Sequence, residues 1–219
     1  MVIVILAACS PGRTVEAVMV LADVAAVEKS SRLKATRPKP QRRPISYVVA
    51  DRTYHGDLYR PGDHAIAALV LVPGAARRGK DHPRLVAFAE SLARARFTVL
   101  VPDIENLRAL HVDPADARHI ADAVQYLSGT TTDTGYRPVG IVAISYAAGP
   151  ALLAALRPET RDRVGFVLAI GGYYDIEAVI TFFTTGHYRR PGEKQWRRRE
   201  PNAYGKWVFV KSNARRLSD

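Results

Sequence analysis

The chain has 219 residues, of which 47% are hydrophobic, and its formal net charge is +11. This length and composition allow one main domain with a sizeable core, and they exclude collagen-like, coiled-coil and disordered classes. Because Cys9 is the single cysteine, the chain has no internal disulfide and no cysteine-rich metal site. We predict no metal site of any kind.

The positive charge is concentrated in residues 32–43 and 189–199. A basic balance can indicate binding to nucleic acid or to an anionic membrane surface. No zinc-finger spacing or helix-turn-helix pattern accompanies the charge, so we predict no specific nucleic-acid partner. We interpret both segments as solvated surface, and nonspecific binding to anionic surfaces through residues 32–43 and 197–199 is an alternative.

The N-terminus is apolar from residue 2 to residue 8 and ends in Leu6-Ala7-Ala8-Cys9. This tetrapeptide resembles the lipobox of bacterial lipoproteins, in which the cysteine thiol carries the lipid. The resemblance implies lipidation at Cys9, a lipid anchor on a membrane surface, and a location in the cell envelope. A signal peptide also needs a basic n-region and about 7–15 apolar residues, which are missing here. The alternative is a cytoplasmic protein in which this segment is a strand or a helix end.

Three segments with different composition follow one another along the chain. Residues 1–29 are predicted to be a signal- or anchor-like segment followed by a short helix over 15–27. Residues 30–44 contain many basic residues and prolines and few apolar ones, which favours an extended linker. Residues 45–219 are predicted to be the folded body, with 173–219 lid-like or irregular.

The body alternates between strand and helix patterns. Residues 45–50 and 53–59 flank Asp51-Arg52 and predict a hairpin. Continuous apolar runs predict buried strands over 65–72, 97–101, 139–144 and 164–170. Helical spacing predicts helices over 83–96, 114–128 and 146–156. The second has Asp113 as its predicted N-cap, Pro114 at its first position and Gly129 just past its end. This order predicts an α/β fold, with a mostly parallel sheet and helices on both faces.

Ser145 follows a predicted buried strand directly and opens a predicted helix. The carboxyl ends of parallel strands are where open sheets bind ligands. A strand–turn–helix setting is what a nucleophilic serine needs, because the sharp turn exposes its hydroxyl beside a helix N-terminus. The turn also requires small residues two positions before and after, and Ala143 and Ala147 satisfy that requirement. The other interpretation is that Ser145 caps the helix.

Three stretches carry a family resemblance: LVLVPGAA at 69–76, TVLVPDI at 98–104 and IVAISYAAG at 141–149. With them, residues 45 to about 174 resemble the α/β-hydrolase superfamily, most of all its dienelactone-hydrolase-like and esterase/lipase-like members. The resemblance implies hydrolysis of a small-molecule ester or related acyl substrate by a Ser–His–acid triad, without a cofactor. It implies Ser145 as the nucleophile, with the backbone N–H groups of Ala75 and Tyr146 as the oxyanion hole.

The family order is serine, then acid, then histidine, and few candidates follow Ser145. Asp175 follows the fourth predicted strand, and His187 is the last histidine. We therefore take Asp175 and His187 as the triad candidates, in a core that we expect to be incomplete at its C-terminal end. His82 follows the predicted oxyanion loop, a position from which it would line the site, but it precedes Ser145 in the chain and is a poor candidate for the triad histidine. His55, His64, His111 and His119 are expected at the surface.

Two functions remain open. The first is a serine hydrolase that is inactive as this chain if the late acid and histidine are absent. The second is a non-catalytic binding or envelope protein with a hydrolase fold. We further expect a sheet that ends after the fourth strand of the alternating series to leave an uncovered edge, which favours aggregation.

Overall fold

The computed structural model describes residues 11–111, 113–130 and 138–214. Within them, six strands form one sheet in the order β1-β2-β4-β3-β5-β6. The strands are β1 Gln41–Val49, β2 Arg52–Arg60, β3 Ala67–Val72, β4 Phe97–Pro102, β5 Val139–Ile144 and β6 Val164–Ile170. β4, β3, β5 and β6 are parallel, while β1 and β2 form an antiparallel hairpin that joins the sheet along β4. The predicted hairpin and the mostly parallel sheet are confirmed.

Helices cover both faces of this sheet. The helices are α1 Pro11–Ala26, α2 Arg32–Thr36, α3 Pro83–Arg94, α4 Glu105–Arg108, α5 Asp116–Thr130, α6 Ala148–Ala155, α7 Ile176–Thr185 and α8 Ala203–Asn213. α3 packs on β4 and β2, with α1 and α2 against it, and α5 and α6 pack on the opposite face. None of the helices in the described residues is long and apolar enough to cross a bilayer.

Alternate residues of the central strands enter two different cores, which explains why the strands are continuously apolar. In β3, Leu69 and Leu71 pack toward α3, whereas Val70 and Val72 pack toward α5 and α6. All four are at most 2% exposed. A strand that is buried on both faces has no polar side to reveal its period.

The predicted extended linker over 30–44 is wrong. This stretch contains helix α2 and the first residues of β1. Leu33 is fully buried, and the Oγ of Ser31 caps α2 by accepting a hydrogen bond from the backbone N of Lys34. The Lys34 ammonium lies 2.7 Å from the buried carboxylate of Asp23 on α1. One buried leucine and internal ion pairing therefore hold a segment whose composition indicated an unpacked chain.

The ends of two other predicted helices also shift. The carboxylate of Asp113 accepts a hydrogen bond from the backbone N of Ala115 at 2.8 Å, but α5 begins only at Asp116 and runs past Gly129. The helix predicted over 146–156 opens with one 3-10 turn, Ser145–Ala147, before α6. Shifts of this size are usual at helix ends, where the last turns tighten or fray.

The C-terminal stretch is more regular than its composition indicates. After β6 it forms α7, a ribbon of two short strands, β7 His187–Tyr188 and β8 Arg197–Arg198, and then α8. These elements pack mainly on one another. The lipobox-like segment with Cys9 lies outside the described residues.

Candidate active site

Ser145 occupies a sharp turn between β5 and α6. Its φ is +55°, in the left-handed region that costs a residue with a Cβ about 1–2 kcal/mol. Its side chain is exposed, whereas Ala143 and Ala147 on either side are fully buried. The turn thus projects one hydroxyl out of the sheet, and its close packing accepts only small neighbours.

The loop after β3 lies directly against this turn. A Cβ added to Gly74 would lie 3.2 Å from the carbonyl oxygen of Ile144 and 3.5 Å from the Cβ of Ser145. Glycine at position 74 therefore lets the two strand ends approach each other. As a result, Ala75, the next residue of the loop, and Ser145 line the same cavity.

A buried carboxylate fixes the far side of the same loop. The carbonyl of Ala76 accepts a hydrogen bond from the backbone N of Gly79 at 2.8 Å. The next residue, Lys80, donates to the carboxylate of Asp57 at 3.1 Å, and Asp57 is only 2% exposed. Burial lowers the pKa of Lys80, but its hydrogen bonds to Asp57 and Asp81 outweigh that effect and raise it overall. The ammonium therefore stays charged and ties the loop to strand β2.

The turn and the loop form two walls of a cavity of about 390 Å³. The described residues around it are Pro73, Gly74, Ala75, Ala76, Gly79, His82, Arg84, Leu85, Phe88, Ile144, Ser145 and Tyr204. Leu85 and Phe88 from α3 provide an apolar side, and His82 and Arg84 provide a polar one. The volume lies within the range of small-molecule sites, about 300–1,000 Å³.

The side chain of Tyr146 anchors the turn from behind. Its hydroxyl donates to the carbonyl of Asp113 at 3.4 Å, and burial raises the pKa of this phenol. The tyrosine therefore stays neutral and fixed, which leaves its backbone N–H beside Ser145.

Comparisons with known proteins agree with this architecture. A dienelactone hydrolase from Anabaena variabilis is 24% identical, with a TM-score of 0.50 over 62% of this chain and 65% of the other. A brefeldin A esterase, described as a bacterial homologue of human hormone-sensitive lipase, is 16% identical, with a TM-score of 0.60 over 93% and 58%. An α/β-hydrolase from a Penicillium species is 21% identical, with a TM-score of 0.51 over 62% and 47%.

The chain has the α/β-hydrolase fold. Identities below 25% establish the fold alone, and this chain spans about half to two thirds of the length of these three structures. A scan against protein-family models found no match, and neither did a search of the curated proteins.

Asp175 and His187 lie in the C-terminal part of this α/β-hydrolase fold, each within its own local structure. Asp175 is the N-cap of α7, and its carboxylate accepts a hydrogen bond from the backbone N of Ala178 at 2.9 Å. The imidazole of His187 on β7 stands edge-on to Trp196, with ring centroids 6.4 Å apart. Among the described residues lining the cavity of Ser145, the histidine is His82, and neither triad candidate is among them.

His119 departs from its predicted surface position. Its ring lies 4.6 Å from that of Tyr54, and its Nε2 is buried without a hydrogen-bond partner in the described structure. Burial lowers the pKa of His119, and the nearby carboxylate of Asp122 opposes that shift only in part. His119 is therefore a neutral component of the aromatic core under β1 and β2.

The two basic segments are partly neutralised within the chain. In the first, Arg37 contacts Glu16 at 3.2 Å, and Arg42 contacts Asp57 at 2.5 Å. In the second, Arg197 pairs with Glu193 at 2.9 Å. The guanidinium of Arg189, in the same segment, stacks over the ring of Trp196, with its Cζ 4.4 Å from the ring centroid. Several of the cations thus have structural partners.

Sequence reasoning missed Tyr204. It lies in the first turn of α8 but lines the same cavity as Ser145, and its hydroxyl donates to the carbonyl oxygen of Ala75 at 2.5 Å. Because 129 positions separate the two residues, no local pattern in the sequence could have indicated the contact.

Proposed function

We propose that this chain is a serine hydrolase that acts on a small-molecule ester or a related acyl substrate. The observation that carries the proposal is the positive φ of Ser145, +55°, at the turn where its hydroxyl lines a 390 Å³ cavity. Enzymes of this fold present their nucleophile on a strained strand-to-helix turn. The structural neighbours include a dienelactone hydrolase and an esterase, which supports ester cleavage as the reaction class.

In this proposal, the Oγ of Ser145 bonds to the carbonyl carbon of the ester while its proton passes to a general base. The carbonyl oxygen becomes an oxyanion, and the backbone N–H groups of Tyr146 and Ala75 donate hydrogen bonds to it. The tetrahedral intermediate then expels the alcohol, which takes up the transferred proton. Water hydrolyses the acyl group on Ser145 through the same steps and releases the acid. The reaction requires no cofactor.

The cavity suits a small substrate with an apolar part. Leu85 and Phe88 offer hydrocarbon and aromatic surface close to the Ser145 turn, and His82 and Arg84 offer polar contacts. An acyl or alcohol group of a few carbons would be desolvated against α3. A long chain would have to leave the cavity through its open side.

The general base is assigned from the same geometry. His82 lies in the wall of the cavity with Ser145, whereas His187 packs on Trp196 and Asp175 caps α7. A base must come within hydrogen-bond reach of the proton that it removes, either directly or through one water. His82 is therefore our first candidate, ahead of the Asp175–His187 pair.

Steady-state hydrolysis of p-nitrophenyl acetate tests the proposal. We expect the wild type to be active and Ser145→Ala to fall to the background rate. His82→Ala should have a lower kcat, and His187→Ala should have wild-type activity. A loss in His187→Ala but not in His82→Ala would transfer the base role to the triad predicted from the sequence. A folded wild-type protein no faster than Ser145→Ala would contradict serine hydrolysis.

One observation favours a second candidate function, a non-catalytic binding protein with this fold. The described residues that line the cavity include no aspartate or glutamate to orient a histidine. Loss of a triad member removes several orders of magnitude in rate and leaves only the contribution of the oxyanion hole and of binding. Such a protein would fold stably and remain inert in the same assay.

A further inference from the structure

Among the described residues of helix α8, two side chains donate hydrogen bonds to loop carbonyls in the body of the protein. The first turn of α8 is fixed by Asn202, whose side-chain oxygen accepts a hydrogen bond from the backbone N of Tyr204 at 2.8 Å. The hydroxyl of Tyr204 then donates to Ala75 O at 2.5 Å, and the ammonium of Lys211 donates to Ala109 O at 2.9 Å. Of the last two bonds, the one between Tyr204 and Ala75 lies at the cavity of Ser145, because both residues line it.

The bond from Tyr204 completes the support of the loop after β3. Gly74 rests against the backbone of Ile144, and Lys80 ties the far end of the loop to the buried Asp57. Between these points, the carbonyl of Ala75 is fixed by Tyr204. The peptide unit is planar, so fixing this carbonyl fixes the orientation of the unit that joins Ala75 to the next residue.

An oxyanion hole depends on such support, because its donors contribute most when they are aimed before the charge develops. The proposed donor is the N–H of Ala75. Only the φ and ψ dihedrals of Ala75 separate this N–H from the carbonyl that Tyr204 holds. If that carbonyl were free, the peptide could rotate and carry the N–H away from Ser145. The hydroxyl of Tyr204 therefore acts on the donor through the backbone and does not itself contact the reacting atoms.

We propose that Tyr204 is a positioning residue for the oxyanion loop, a role that rests on the proposed function of Ser145. Helix α8 thus contributes to the reactivity of a serine 59 positions earlier in the chain. Tyr204 is 53% exposed, so losing its hydroxyl should leave the hydrophobic core intact.

The test compares Tyr204→Phe with Lys211→Met. The first variant keeps the ring and removes the hydrogen bond to Ala75, whereas the second removes the other hydrogen bond of α8, which lies outside the cavity. Two readouts are needed: amide hydrogen exchange in peptides covering residues 73–79, and the second-order rate at which a fluorophosphonate probe labels Ser145.

We expect Tyr204→Phe to speed exchange in the loop and to slow labelling between about two- and tenfold, the effect of one hydrogen bond. Lys211→Met should change neither readout. Wild-type exchange and labelling in Tyr204→Phe would overturn the proposal. Equal losses in both variants would also overturn it, because they would mean that Tyr204 merely docks α8. If even the wild type resists labelling, the hydrolase function fails, and the exchange data still decide whether Tyr204 holds the loop.

Discussion

Ser145→Gly should stabilise the protein, although it removes the residue on which the proposed function depends. Ser145 has a φ of +55°, a conformation in which a Cβ crowds the following carbonyl oxygen. Glycine has no Cβ and adopts this conformation without strain. The strained turn that exposes the Ser145 hydroxyl thus lowers the free energy of unfolding of the protein.

The magnitude follows from two opposing terms. Relief of the left-handed strain contributes about 1–2 kcal/mol, and the greater freedom of glycine in the unfolded chain offsets about 0.5–1 kcal/mol of it. The free energy of unfolding of Ser145→Gly should therefore exceed that of Ser145→Ala by up to about 1.5 kcal/mol, with a central value of about 0.5–1 kcal/mol. Both variants lack the hydroxyl, so their difference isolates the backbone term.

Urea unfolding and thermal melts of the two variants measure this difference, which corresponds to roughly 1–4 °C in Tm for a domain of this size. Ala148→Gly is a control of opposite sign, because Ala148 has ordinary helical angles, φ −58° and ψ −44°. It should lower stability by at least about 0.5–1 kcal/mol. A Ser145→Gly protein that is no more stable than Ser145→Ala would refute the strained turn.

Three further predictions concern the body of the protein. Asp23→Ala should lower the free energy of unfolding by about 2 kcal/mol, since it removes the buried partner of Lys34. Burial raises the pKa of Asp23, but its hydrogen bonds outweigh that effect and lower it overall. The carboxylate therefore adds stability above its unfolded pKa of about 3.9, and that stability is lost as the pH falls through the folded value. The urea midpoints of the wild type and of Asp23→Asn between pH 5 and pH 2 measure this loss of stability. An equal loss in Asp23→Asn, which cannot titrate at this position, would contradict the role of the carboxylate. Tyr54→Phe should cost about 1–3 kcal/mol, because the buried carboxylate of Asp122 loses the hydrogen bond from the Tyr54 hydroxyl and keeps the one from Gln125. An unchanged Tm would contradict that bond. Leu168→Lys should reduce self-association in sedimentation velocity, since Leu168 is 49% exposed on the edge strand β6. A wild type that is monomeric at every concentration would contradict it.

The alternation of buried strands and amphipathic helices could be predicted from the sequence because burial leaves a direct mark on it. Leu69 to Val72 read as one apolar run, and the structure buries every one of these side chains. The setting of Ser145 could also be predicted, since a strand end, a helix start and two small neighbours are all local features.

Features that depend on distant partners could not be predicted. The basic stretch before β1 looked unpacked because its charges were counted without their partners, and Lys34 finds Asp23 only once α1 and α2 have packed. His119 looked exposed because its helix position says nothing about Tyr54, which arrives from strand β2. The contact of Tyr204 with Ala75 depends in the same way on where α8 lies.

Labelling with a fluorophosphonate probe decides whether Ser145 is an activated nucleophile. The purified chain and its Ser145→Ala variant would be read by intact mass, with circular dichroism to show that both are folded. We expect one adduct per wild-type chain and none on the variant. A folded wild type that stays unlabelled, or a variant that labels equally well, would contradict it.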